Sequence, residues 1–196
     1  RDWHLGLSAH EEYHVIHSKV PQKSEVVSEE PKAKSLRPYT VVQKPFTAAE
    51  LAFWGKSGIG ENVLKAYRTV SLKKFSSENQ ERKPFSCMTS VDEPMFGYMG
   101  KQHIKVYRPC SQMRFLYAGD FGDNYCFGLE QLPAKGDLLF ITGGEKDVMS
   151  LAAHGFHAIC FNSETAFIPS AVIHRLSFRF KHIIFLYGVD STGLKS

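Results

Sequence analysis

Two short acidic turns are the parts of this sequence best suited to chemistry. Gly143-Gly144-Glu145-Lys146-Asp147 follows one apolar run, and Gly188-Val189-Asp190-Ser191-Thr192-Gly193 follows another. Carboxylates delivered from different strand ends can hold Mg²⁺ or Mn²⁺ and leave positions open for phosphate and water, which is what phosphoryl transfer requires. The glycines let backbone approach a phosphate closely and aim the following helix N-terminus at its charge. The same spacing also serves a plainer purpose. Glu145 and Asp147 favour the first turn of a helix, and Asp190 can cap the next one.

Upstream, Lys101, Lys105, Arg108 and Arg114 are interleaved with Tyr107, Phe115 and Tyr117. Cations at this density can pair with phosphates while the rings stack on bases. A solvated strand face with its aromatics turned into the core would give the same alternation. Near the start, His10-Glu11-Glu12-Tyr13-His14 spells the H-E-x-x-H zinc motif. That motif needs a long buried helix and a third ligand, and neither is evident in the surrounding residues. Gly55-Lys56-Ser57 lacks the glycine spacing of a P-loop, and Gly58-Ile59-Gly60 is too short for a dinucleotide fingerprint.

The elements that must position these residues fall into three parts. Residues 1–44 read as a histidine-containing tail followed by a flexible linker: Pro21, Pro31, Pro38 and Pro45 punctuate Lys, Glu and Ser over roughly 18–44. Residues 45–136 read as an α+β subdomain. Thr47 and Glu50 form a capping box for a first helix carrying Leu51, Phe53 and Trp54. A second helix is expected from about Gly60 to Tyr67, then an extended run from Val70 to Phe75, a polar turn from Ser76 to Pro84, and short strands between Met95 and Phe127. Residues 137–196 change to a strand-helix rhythm. Strands are expected at Leu138–Thr142, Ala158–Phe161 and His182–Tyr187, and helices at Glu145–His154 and about Pro169–Leu176. Strands this apolar, separated by helices, predict a parallel sheet covered on both faces, with ligands at the carboxyl ends.

Composition sets the outer limits. The 196 residues are 43% hydrophobic and 22% charged, enough for a real core, and the net charge of +4 permits a nucleic-acid partner without demanding one. No apolar run approaches the roughly 20 residues that span a bilayer and the N-terminus lacks a signal-peptide core, so a cytoplasmic protein with no membrane partner is expected. Cys87, Cys110, Cys126 and Cys160 contain no C-x-x-C pair and are expected as free thiols. The chain begins without Met and stops at Leu194-Lys195-Ser196 where a helix is due, the pattern of a fragment of something longer.

Leu139 to Phe156, then Asn162-Ser163-Glu164, then Ile183 to Gly193 resemble the Toprim pattern of DNA primases. In that family the first strand ends in E-G-x-x-D and the third in D-x-D followed by Gly. Lys105-Val106-Tyr107-Arg108-Pro109, Arg114 to Tyr117 and Asn124 to Gly128 are similar to the subdomain that precedes Toprim in bacterial primases and phage-type primase-helicases. Phe53-Trp54, Gly58-Ile59, Leu64 and Tyr67 fit its opening helices.

The resemblance covers roughly 46–196 and implies an α/β protein, with a primase-type α+β subdomain followed by an incomplete, Rossmann-like Toprim domain. It implies RNA primer synthesis on single-stranded DNA from nucleoside triphosphates, a nucleotidyltransfer using Mg²⁺ or Mn²⁺. Glu145, Asp147 and Asp190 are then the catalytic metal ligands, and Lys105, Arg108, Arg114 and Lys146 hold nucleotide and template. A replicative helicase, in cis or in trans, is a further implied partner, and the H-E-x-x-H segment reads better as a remnant of the zinc-binding module that often precedes primase catalytic domains, without the cysteines such a module needs, than as a zinc protease. Two departures stand out. Gly143 occupies the position of the family's first Glu, and Gly188 that of the first Asp of D-x-D. The alternative is therefore a degenerate Toprim module that binds nucleic acid without catalysis, or another Toprim enzyme of nuclease or topoisomerase type.

Overall fold

Tyr39-Thr40-Val41-Val42, β-branched and aromatic, begins the first strand among the described residues. The computed structural model describes residues 37–79, 81–121, 125–162 and 168–187. The H-E-x-x-H motif, most of the expected linker, Glu164, Gly188 and Asp190 lie outside these residues. The last part of the expected linker is corrected: Tyr39–Lys44 is strand β1, paired antiparallel with β2 (Thr69–Glu78). Val41 opposite Phe75 supplies the cross-strand contact that a solvated linker would lack.

After β1, α1 (Ala48–Gly55) and α2 (Glu61–Ala66) precede β2, which continues through Ser76–Glu78 where the sequence predicts a turn. Strands β3 (Pro84–Met88), β4 (Phe96–Met99), β5 (His103–Tyr107) and β6 (Phe115–Gly119) complete an antiparallel sheet ordered β1-β2-β4-β5-β6, with β3 also on β2. Its outer core is Leu72, Phe75, Met95, Ile104, Val106 and Ala118.

The second layer is β7 (Gly136–Thr142), α3 (Glu145–Ala153), β8 (His157–Cys160), α4 (Ser170–Ser177) and β9 (Phe180–Leu186). The strands form a parallel sheet ordered β8-β7-β9, as the apolar runs predict. Both faces of its centre are covered. Ile159 and Leu139 meet Val172 and Leu176 of α4, whereas Ala158 and Cys160 meet Val148 and Met149 of α3. That second cluster also contains Trp54, Leu64, Phe96, Tyr98 and Tyr107, so the Val148–Met149 face of α3 packs between the two sheets and joins them. Gly155, at φ +82, ends α3 in the left-handed conformation that glycine adopts without penalty. At the outer end of the layer β9 has β7 as its one strand neighbour among the described residues, and Ile184, Phe185 and Leu186 are 44–53% exposed. No helix among the described residues is long and apolar enough to cross a membrane.

The capping box at α1 does more than start a helix. The Thr47 N–H donates to Glu50 at 2.8 Å, Lys44 Nζ at 2.6 Å and Ser71 Oγ at 2.9 Å donate to the same carboxylate, and one side chain thereby ties β1, α1 and β2 together. Burial alone would raise the Glu50 pKa; the bonds from Lys44, Thr47 and Ser71 outweigh it and hold the group below its ordinary value. Glu50→Gln is expected to cost about 2 kcal/mol near neutral pH, the scale of a hydrogen bond to a charged group. Because the folded pKa is depressed, that contribution is complete above about pH 4.3 and is lost as pH falls through the folded value. Urea unfolding of both proteins across this range checks it. A wild-type advantage that persists unchanged in strong acid would contradict the assignment.

Candidate functional site

Thr142 and Leu186 are register partners at the carboxyl ends of β7 and β9, so the chain leaves both strands at one rim of the sheet. After β7, Gly143 and Gly144 lead into α3, whose first turn carries Glu145 and Asp147. The two acids have different surroundings. Asp147 is exposed, whereas Glu145 is 2% exposed and faces the antiparallel sheet.

Glu145 is held by two donors. Lys105 Nζ lies 2.7 Å from Oε1, and the Tyr125 hydroxyl donates to the same oxygen at 2.8 Å. Lys105 comes from the middle of β5 and its side chain is 4% exposed. Its ammonium sits 4.7 Å from the Phe115 ring centroid, 5.5 Å from Tyr117 and 5.8 Å from Tyr125, so aromatic faces supply the rest of its solvation. Burial, reinforced by the Glu145 charge, pushes the Tyr125 hydroxyl far above its ordinary pKa, and Tyr98 and Cys160 move the same way. All three stay protonated at neutral pH, so the Tyr125 hydroxyl serves Glu145 as a hydrogen-bond donor. Cys126 nearby is pushed up to about 12 by burial.

Both donors meet Glu145 at Oε1. A divalent cation that drew the carboxylate away from Lys105 would leave a buried ammonium without its partner, and stranding a buried charge costs several kcal/mol. Gly143, which leads into α3, offers no carboxylate in exchange. Among the described residues no three His, Cys, Asp or Glu side chains gather as a cation site. Asp190, the third expected ligand, lies outside those residues.

The four basic residues expected at nucleotide and template separate. Lys105 is committed to Glu145. Arg108 reaches Glu93 at 3.5 Å. Arg114 is exposed, with its guanidinium 5.8 Å from the Tyr107 centroid and 5.7 Å from Phe115. Lys146 lies 5.5 Å from Phe53. The rings connect the last two: Phe53 is 6.3 Å from Tyr107, which stacks on Phe115 at 5.3 Å. The result is a strip of three aromatics with Lys146 at one end and Arg114 at the other. Phe53 and Tyr125 carried no functional signal in the sequence beyond the apolar face of α1 and the Asn124-Tyr125 dipeptide. The signal that was available for Lys105 is positional: it pairs with Tyr117 and shares a face with Tyr107, a poor setting for a solvated side chain.

No family model matches the sequence, and no curated protein does. Among solved structures the chain is similar to the DnaG primase catalytic domain bound to single-stranded DNA, with a TM-score of 0.55 and 15% identity over 78% of this chain and 60% of that one. It is also similar to the zinc-binding and RNA polymerase domains of the Aquifex aeolicus primase, with a TM-score of 0.51 and 12% identity over 76% of this chain and 45% of that one. These likenesses establish a primase-like fold, an antiparallel sheet followed by a parallel α/β layer. The chain spans 45–60% of the length of those two structures.

The buried pair gives a direct stability experiment. Lys105→Met strands the Glu145 carboxylate and is expected to cost about 3–5 kcal/mol. Combining it with Glu145→Leu removes both charges and should recover most of that loss. Denaturant unfolding of the two variants is the measurement; equal destabilisation in both would mean that the pair is not the constraint described.

Proposed function

We propose that this chain is a primase-like module that binds single-stranded nucleic acid along the Lys146–Phe53–Tyr107–Phe115–Arg114 strip, without a divalent metal on Glu145. The observation that carries the reading is the strip itself. Half-buried Phe53 and Phe115, backed by the buried Tyr107 and flanked by two cations, suit a strand whose bases stack and whose phosphates pair. Stacking on an aromatic side chain contributes about 1–3 kcal/mol per base and tolerates any base. The solved DnaG catalytic domain of similar fold carries single-stranded DNA, which supports the same ligand class. The commitment of Glu145 to Lys105 supports binding over metal-assisted transfer.

RNA primer synthesis from nucleoside triphosphates, with Mg²⁺ or Mn²⁺ held through Glu145, Asp147 and Asp190 and with a helicase partner, is the second reading. A separate observation favours it: β7 and β9 end in register, and Asp147 remains exposed at that rim. In that reading Arg114 and Lys146 orient the template, and Lys105 acts through Glu145.

Fluorescence anisotropy with a short oligothymidylate and a de novo priming assay with Mg²⁺ or Mn²⁺ separate the two. Binding without primer synthesis is the expected result. Arg114→Ala should weaken binding about ten-fold and lower the slope of log affinity against log salt by about 0.7, the share of one phosphate contact on a single strand. Primer formation abolished by Asp147→Asn would establish the second reading instead, and no detectable oligonucleotide binding would remove the first.

A further inference from the structure

A second opening lies apart from the ring strip. It is a cleft of about 470 Å³ between the β4–β5 turn and the segment 125–131, closed at one end by Tyr67 and Arg68. Its size falls within the range of about 300–1,000 Å³ usual for sites that take one small molecule. Two ring groups line it. Tyr67 and Tyr98 each meet Phe127 at 5.4 Å, and on the other side His103 stacks on Phe121 at 4.3 Å and meets Tyr125 edge-on at 5.4 Å. Burial lowers the His103 pKa, so its ring is neutral at pH 7 and belongs with the aromatic wall.

The charges at the rim are of the exchangeable kind. Glu130 accepts from Arg68 at 3.1 Å and from Lys101 at 3.4 Å, with Arg68 53%, Glu130 50% and Lys101 78% exposed. Ion pairs this open are held by only about 0–1 kcal/mol. A phosphate, with more charge and a geometry suited to a guanidinium fork, competes well against such a carboxylate. Lys105 and Glu145, shut away from water, cannot exchange in this way.

Arg68 also sits at φ +49, just after α2. Glycine meets that conformation without cost, whereas a side chain there costs roughly 1 kcal/mol. An arginine therefore holds a turn that glycine would make more cheaply, and the cation it supplies projects to the cleft rim.

We propose that this cleft binds one phosphorylated nucleoside, its base against the rings of Phe121, His103 and Phe127 and its phosphate on Arg68 and Lys101 in place of Glu130. The nucleic-acid reading bears on where such a unit comes from, a free mononucleotide or the 5′ end of a strand; the site itself is argued from the cleft alone.

Titration of the whole chain with 5′-AMP, adenosine and inorganic phosphate, followed by amide chemical shifts, tests it. AMP is expected to bind at least about ten-fold more tightly than adenosine or phosphate, with shifts centred on Arg68, Lys101 and Gln131. Arg68→Gly with Lys101→Ala should weaken AMP about ten-fold while leaving thermal stability unchanged or higher, since the glycine relieves the strained turn. Glu130→Gln should tighten AMP several-fold by removing the competing carboxylate, a gain that damaged folding would not produce. Displacement of AMP by a 5′-phosphorylated oligonucleotide assigns the strand as the source, and its failure to displace assigns the free nucleotide.

Absence of AMP shifts at the cleft at millimolar concentration overturns the proposal. So does a Glu130→Gln protein that binds AMP no better than wild type. Either result would leave the ring strip untouched, because Arg114→Ala reports on that surface separately.

Discussion

The buried contact between Lys105 and Glu145 is the constraint on which the relation between the two halves depends. Lys105 belongs to an antiparallel sheet that surrounds a core of its own, and Glu145 opens the first helix of a parallel α/β layer. Neither charge is acceptable without the other, because an unpaired charge at 2–4% exposure would cost more than most single side chains contribute to folding. The pair sets the register of α3 against β5. Around it lie neutral contacts that follow the same geometry, including Thr69 on Met149 and the Ser150 hydroxyl on the Ser57 carbonyl. Aromatic rings around the ammonium complete its environment, so the pair behaves as a structural rivet.

Glu50, Glu145 and Glu130 are among the carboxylates that accept from cations, and their surroundings give them different uses. Glu50 takes hydrogen bonds from two strands and a helix cap, which makes it an organiser of local structure. Glu145 is sealed and links layers. Glu130 bridges two cations in the open, where water and any competing anion have equal access. The distances are similar in all three, between 2.6 and 3.4 Å, so separation does not distinguish them. Solvent access does, since it decides whether breaking the contact leaves a charge hydrated or stranded.

Much of the fold was legible in residue patterns. The Thr47–Glu50 box marks the start of α1, Gly155 the end of α3, and the apolar runs around Leu139, Ile159 and Ile183 the parallel sheet, because each depends on local backbone chemistry or on burial from both sides. β1 was hidden by its neighbours Pro38 and Pro45, and only its pairing with β2 gives Val41 a place. The site was less legible. Alternation in β5 assigns Lys105 a face but cannot say whether that face meets water or another layer, and the partner that answers the question is 40 residues away. Likewise Arg108 and Arg114, close in sequence and joined by a backbone hydrogen bond, send their side chains to different surroundings. Phe53 enters the ring strip through tertiary contact alone.

The outer strand of the parallel layer has a practical implication for handling the protein. β9 offers Ile184, Phe185 and Leu186 to solvent along a border whose backbone donors and acceptors have no strand opposite them among the described residues. Such a border is a template for a second extended segment, whether from further along this chain or from another. A lysine at Phe185 would make that border inhospitable to another strand while leaving the pairing with β7 intact, and would give a better-behaved sample of the same architecture.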